Sequence, residues 1–303
     1  MLKKTNILAL VGGGKIPKFS NNKIIIWDDH LGKIISQIRF NSDIINVKIR
    51  IDCIIGILDD KIYILNINTL ETIDILDTFN NPHGIFSMSN SNNELIISFP
   101  YSKNKGKVQL ENYILFKESF NKNESKIINA HESNIAYIKI NNEGTLLATA
   151  SDKGTLIRLF NISNQEMITE LRRGTKNVKI NCLAFDINTE FIGCTSDVGT
   201  VHIFDIHEVN KLFEKDEDKN KSNDENNKKE KPKTSKSYGI KIKERSFVKF
   251  KVQEEKSILG FCNQNSFVVL TNDGKLYKAC FDVKSGGNCS KVEELYITEN
   301  KDK

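Results

Sequence analysis

At 303 residues, 39% of them hydrophobic, the chain carries enough apolar side chains for one large domain or two small ones. Its 44 Lys and Arg against 39 Asp and Glu leave a formal charge of +5, which suits an acidic partner without choosing between lipid headgroup and nucleic acid. No apolar run approaches the roughly 18 residues of a membrane-spanning helix, and neither a nucleophile elbow nor an H-E-x-x-H motif is present, so the sequence predicts neither a helical membrane protein nor an enzyme.

Met1 to Val11 is basic and then apolar, but the apolar part, about five residues, is below the roughly 7–15 of a secretory signal, so it predicts a strand. Gly12-Gly13-Gly14-Lys15 lacks the Ser or Thr and the helix of a phosphate loop and reads as a hairpin turn. From there the apolar residues come in short runs rich in Ile, Val, Phe and Tyr, such as Lys23–Trp27, Asp60–Ile67, Leu95–Phe99, Thr155–Phe160 and Ser266–Leu270. Asn, Asp, Gly and Lys break them about every 8–12 residues, which is the punctuation of an all-β chain made of hairpins. The runs group into blade-like segments at Asn6–Phe40, Ile44–Thr78, Gly84–Phe116, Asn134–Gly174, Ile180–Phe250 and Ser257–Tyr296. The Lys- and Asn-rich stretch at Phe120–Ser125 is expected to be a surface loop.

An internal repeat organises the second half. Leu146-Leu147-Ala148-Thr149-Ala150-Ser151-Asp152-Lys153-Gly154-Thr155 returns as Phe191-Ile192-Gly193-Cys194-Thr195-Ser196-Asp197-Val198-Gly199-Thr200, an offset of about 45 residues, the period of one four-stranded propeller blade. A weaker copy runs Phe267-Val268-Val269-Leu270-Thr271-Asn272-Asp273-Gly274. It lies late because Lys211–Ser237 is almost entirely Lys, Glu, Asp, Asn and Ser, too polar to offset the entropy of ordering, and is expected to be a disordered loop between the third and fourth strands of a blade. The expected architecture is one β-propeller domain over residues 1–303 with a charged loop inserted at 211–237. The six cysteines form no C-x-x-C pair and fall mostly in strand-like runs, so they read as small buried hydrophobes, and no metal or cofactor is expected.

Ile128-Asn129-Ala130-His131, Leu147–Phe160, Leu171-Arg172-Arg173-Gly174 and Gly199-Thr200-Val201-His202-Ile203-Phe204 together resemble the PROPPIN family, with a second block at Asn6–Gly14 running to Ile26-Trp27-Asp28-Asp29. These are seven-bladed WD40-like propellers that bind phosphatidylinositol 3-phosphate and the 3,5-bisphosphate in autophagy and endosomal traffic. The similarity leans toward the shorter-looped, WIPI-like branch. It implies that the Asn6 block is the family's second blade and that the first blade is absent; either the sequence is N-terminally incomplete with Met1 an internal methionine, the favoured reading, or the ring closes differently.

The resemblance also implies two headgroup sites flanking the Arg-Arg strand, as does strand geometry, which sends adjacent side chains to opposite faces. The first takes His131, Ser151, Lys153, Thr155, Arg158 and Arg172; the second takes Arg173, Ser196, Thr200 and His202. Arg158 and His202, each two residues before a Phe, are equivalent positions of the repeat. Arginine offers a planar fork of donors for phosphate oxygens, and Ser, Thr and turn N–H groups add uncharged donors. A histidine with an ordinary value near 6.5 is expected to gain charge beside a phosphate, strengthening binding as pH falls. For His131 a hydrogen bond within its own blade stays open as the alternative, and Ser151 and Ser196 could equally cap their turns.

The family's membrane-inserting loop corresponds to the charged insertion, where only Leu212-Phe213 and Tyr238–Ile242 are apolar and Lys228–Lys233 offers surface charge. The implied protein is a cytoplasmic monomer, peripherally associated with preautophagosomal, endosomal or vacuolar membranes, with a lipid-transfer or trafficking protein as partner. Nucleic acid is not expected, since Arg residues are not interleaved with aromatic stacking platforms. The competing reading is a WD40 interaction scaffold without lipid specificity.

Overall fold

The computed structural model describes residues 5–78, 80–101, 105–116, 119–209, 211, 245–252 and 254–297. They divide into two compact units, Met1–Glu132 and Ser133–Lys303.

In the first unit β1 (Ile7–Val11), β2 (Lys23–Asp28) and β3 (Lys33–Arg39) form a three-stranded antiparallel sheet. A four-stranded meander follows, β4 (Asn46–Ile49), β5 (Cys53–Ile57), β6 (Lys61–Asn66) and β7 (Thr72–Asp77). The third sheet holds β8 (Ser87–Met88), β9 (Glu94–Pro100), β10 (Lys107–Phe116), β11 (Ser119–Lys122) and β12 (Lys126–Asn129). Both of the last two short strands pair with the long β10, so this sheet runs past its expected end at Phe116. The stretch expected to be a loop at Phe120–Ser125 therefore begins as strand, through Lys122. Phe120 packs on the apolar cluster of Ile62, Ile97 and Tyr113, and the Lys122 ammonium is neutralised by Asp74 at 2.9 Å and by the buried Glu111 at 3.4 Å. Ionic partners from neighbouring strands let a polar sequence pair, which composition alone does not reveal. Arg50, 5% exposed, ties two sheets together: it grips Asp52 with Nε and Nη2 and donates Nη1 to the carbonyls of Ser89 and Glu94 at 3.3 and 3.1 Å.

The second unit begins with β13 (Ile135–Ile140), β14 (Leu146–Ser151), β15 (Leu156–Asn161) and β16 (Met167–Arg172) in one meander. Next come β17 (Ile180–Phe185), β18 (Phe191–Ser196), β19 (Thr200–Asp205) and β20 (Val248–Lys251), with β24 (Gly287–Asn288) lying parallel to β20 at the edge. The last sheet is β21 (Ser257–Asn263), β22 (Ser266–Thr271), β23 (Lys275–Cys280) and β25 (Ser290–Tyr296). The strand pairing bears out the repeat. Asn141 and Asp186, one period apart, each accept at Oδ1 two backbone N–H bonds across their turns, from Thr145 and Leu146 and from Glu190 and Phe191. The charged insertion enters after β19 and leaves before β20, third and fourth strands of one sheet. Its interior, with the apolar and basic segments named above, lies outside the described residues.

Cores form between neighbouring sheets of each unit, and a sheet flanked on both sides buries both faces. Leu146, Ala148, Ile157 and Leu171 of the β13–β16 sheet meet Leu183, Ile192, Cys194 and Phe204 of the β17–β20 sheet. The other face of that second sheet, with Phe191, Val201 and Ile203, meets Leu259, Phe267 and Val269. No helix among the described residues is long and apolar enough to cross a membrane.

Candidate functional site

Leu171, Arg172 and Arg173 leave β16 in three different environments. Leu171 is fully buried against the β17–β20 sheet, Arg172 is exposed, and Arg173 is 8% exposed. Strand alternation accounts for the division. Arg173 is held by the hairpin turn that links β14 to β15. Its N–H donates to the Thr155 carbonyl and its Nε to the Gly154 carbonyl, both at 2.9 Å, while Nη2 donates to the Lys176 carbonyl. Gly154 can serve only as glycine: its φ is +61° and a Cβ would stand 2.1 Å from the Val178 carbonyl oxygen. Thr155, expected in the first group, thus supports the arginine of the second through its backbone.

The β18–β19 register sets Cys194 opposite His202, and β20 continues it with Lys249 opposite His202 and Lys251 opposite Thr200. Alternate residues share a face, so Ser196, Thr200, His202, Lys249 and Lys251 all lie on the side that packs on the β13–β16 sheet. Arg173 comes to this face from that sheet, close enough for its charge to act on His202 and to feel Cys194 and Asp197. The structure therefore gathers Arg173, Ser196, Thr200 and His202 in one place. Ser196 Oγ and His202 Nδ1 are buried there without a hydrogen-bond partner, two of six such side-chain atoms among the described residues.

The same surroundings correct the expectation for His202. Burial, then the charges of Arg173 and Lys249, push the imidazole down to about 4, so it is neutral at neutral pH. Burial likewise draws Arg173 below the usual arginine value, against the pull of Cys194 and Asp197.

The first group is less assembled. Ser151, Arg158 and Arg172 lie on the face of their sheet turned away from β17–β20, with Ser151 buried and Lys153 exposed on the turn. Arg158 is occupied by Glu170, its cross-strand neighbour, at 2.8 Å. Pairing confirms that Arg158 and His202 are equivalent, Arg158 standing opposite Thr149 and His202 opposite Cys194. The next neighbour differs in sign: Glu170 beside Arg158, Lys249 beside His202. His131 belongs to the first unit, half-buried after β12, where its N–H donates to the Gly106 carbonyl at 2.8 Å. Lys249 and Lys251 are additions that the sequence did not suggest, because they lie beyond the insertion; their alternate spacing in a resuming strand was the available signal.

The PROPPIN family model matches residues 16–226. The chain belongs to the PROPPIN family. Autophagy-related protein 18e of Arabidopsis thaliana is 29% identical over 98% of this chain and 75% of its own length. SVP1-like protein 2 of Saccharomyces cerevisiae is 35% identical over 69% of this chain and 51% of its own. The chain thus spans only part of the curated relatives it matches. Among solved structures, Kluyveromyces lactis Hsv2 with its complete loop 6CD covers 98% of this chain and 86% of its own, at a TM-score of 0.75 and 19% identity. A complex of KlAtg21 with the coiled coil of AgAtg16 aligns over 98% of this chain and 84% of its own, at a TM-score of 0.73 and 21% identity. The fold is accordingly that of the PROPPIN β-propellers, a family known for phosphoinositide binding and roles in autophagy.

Proposed function

We propose that this PROPPIN is a non-catalytic phosphoinositide effector that docks on membranes bearing phosphatidylinositol 3-phosphate or the 3,5-bisphosphate. Arg172 and Arg173 divide between two headgroup sites, and the docked protein recruits a trafficking or lipid-transfer partner. The observation that carries the reading is the second site. A buried Arg173, two lysines and two unpartnered polar atoms share one face. Buried polar groups are normally paired, and an anion's oxygens would satisfy Ser196 Oγ directly and His202 Nδ1 once that nitrogen carries a proton. Arg173 and Lys249 supply the charge complement to a dianionic phosphate.

The first site, built on Ser151, Lys153, Arg158 and Arg172, requires Arg158 to exchange Glu170 for phosphate, so it should be the weaker of the two alone. Two weak sites on one surface gain through effective concentration at a bilayer. The test is flotation with vesicles of phosphatidylcholine alone or carrying phosphatidylinositol 3-phosphate, comparing the wild type with the Arg172→Thr/Arg173→Thr variant. Phosphoinositide-dependent flotation lost in the variant is expected. Equal flotation of both proteins would remove the lipid sites and leave a protein-interaction scaffold.

A further inference from the structure

The chain returning from the insertion touches the other sheet before it joins its own. Arg245 forms an isolated parallel bridge with Arg172, three residues before β20 begins. Bridge partners present their side chains on the same face with backbones about 5 Å apart. Both arginines are exposed, and neither has an ion-pair partner among the described residues. Elsewhere in the unit Arg158 is matched by Glu170 at 2.8 Å and Lys275 by Glu254 at 2.7 Å. Two like charges set side by side repel, and a shared anion is what relieves them.

We infer that Arg245 and Arg172 clamp a further phosphate of a polyphosphorylated inositol headgroup, making Arg245 a specificity residue for the 3,5-bisphosphate over the 3-phosphate. The inference rests on the lipid reading of Arg172 given above. Order across the sheet supplies the argument. Arg158 lies on β15, Arg172 on β16, and Arg245 outside β16, so these donors span two strand spacings, roughly 10 Å. Donors rooted in three adjacent strands can take phosphates at separated positions of one inositol ring.

The experiment uses the full chain and phosphatidylcholine vesicles carrying the 3-phosphate, the 3,5-bisphosphate, or the 3-phosphate with phosphatidylserine matched to the bisphosphate's charge. Wild type is compared with Arg245→Gln, Arg245→Lys and Arg172→Thr/Arg173→Thr. Arg245→Gln is expected to weaken binding to bisphosphate vesicles about tenfold, to leave 3-phosphate binding within twofold, and to be partly rescued by Arg245→Lys. A loss that appears only with added phosphatidylserine would overturn the ring-phosphate assignment and make the ligand a neighbouring lipid's phosphodiester. A loss uniform over all three vesicles, or none at all, would also overturn it. If Arg172→Thr/Arg173→Thr floats like the wild type, it is the underlying lipid reading that fails instead.

Discussion

His202 is buried between two cations with one ring nitrogen unpartnered, and its titration reports on what fills the face it lies on. The folded value is about 4 against an ordinary 6.5, so the unfolded chain takes up the proton first. Stability from this group is complete above pH 6.5 and is lost progressively as pH falls toward 4, by about 3 kcal/mol at most. In urea titrations the wild type should lose stability relative to His202→Asn across that window, and parallel pH profiles would disprove the burial effect. A bound phosphate offsets the charges of Arg173 and Lys249 and raises the imidazole value, so headgroup binding should take up a fraction of a proton in mildly acidic buffer. The pH effect expected from an ordinary histidine thus survives with its origin changed: the free protein starts neutral, and the ligand draws the proton in.

Turns carry the constraint that joins one element to the next. Gly154 presents its carbonyl to Arg173 while packing against Val178, whereas Gly174, within the Arg-Arg-Gly motif, has open space within 4 Å of where a Cβ would stand and no left-handed φ. Gly154→Ala should cost about 1–3 kcal/mol and weaken headgroup binding by displacing Arg173. Gly174→Ala should change stability by no more than about 0.5 kcal/mol. Thermal melts with vesicle binding read both, and a stable, fully binding Gly154→Ala would show that the turn does not position the arginine. Much of this was legible in the sequence, because Ser-Asp-x-Gly returns at one period and marks Gly154 and Gly199 as turn residues. The partner of Arg158 was not, since Glu170 becomes its neighbour only through the β15–β16 register. Lys249 was hidden for the same reason, its strand being separated from β19 by the insertion.

Across the molecule, burial is concentrated in the second strands of the meanders. Every residue of β5, β14 and β18 is buried, while β3 is largely exposed. Native-state hydrogen exchange should find the slowest amides in those three strands and fast exchange in β3. Slow exchange centred elsewhere would mean that stability does not follow this burial. Segment boundaries were readable where apolar runs and turn residues alternate cleanly; the third sheet ran on past Phe116 into β11 because ion pairs, invisible to hydropathy, hold that strand. The core shared by Phe191, Val201 and Ile203 on one side of the insertion and Val248, Leu259 and Phe267 on the other has one more implication. Strand β20 is paired to β19 along four residues and to β24 at its edge, so its place depends on non-covalent contacts at both sides. A single protease cut inside the insertion would therefore yield two fragments that stay assembled as a nicked protein, with Arg172 and Arg245 still side by side although peptide-bond continuity between them is gone.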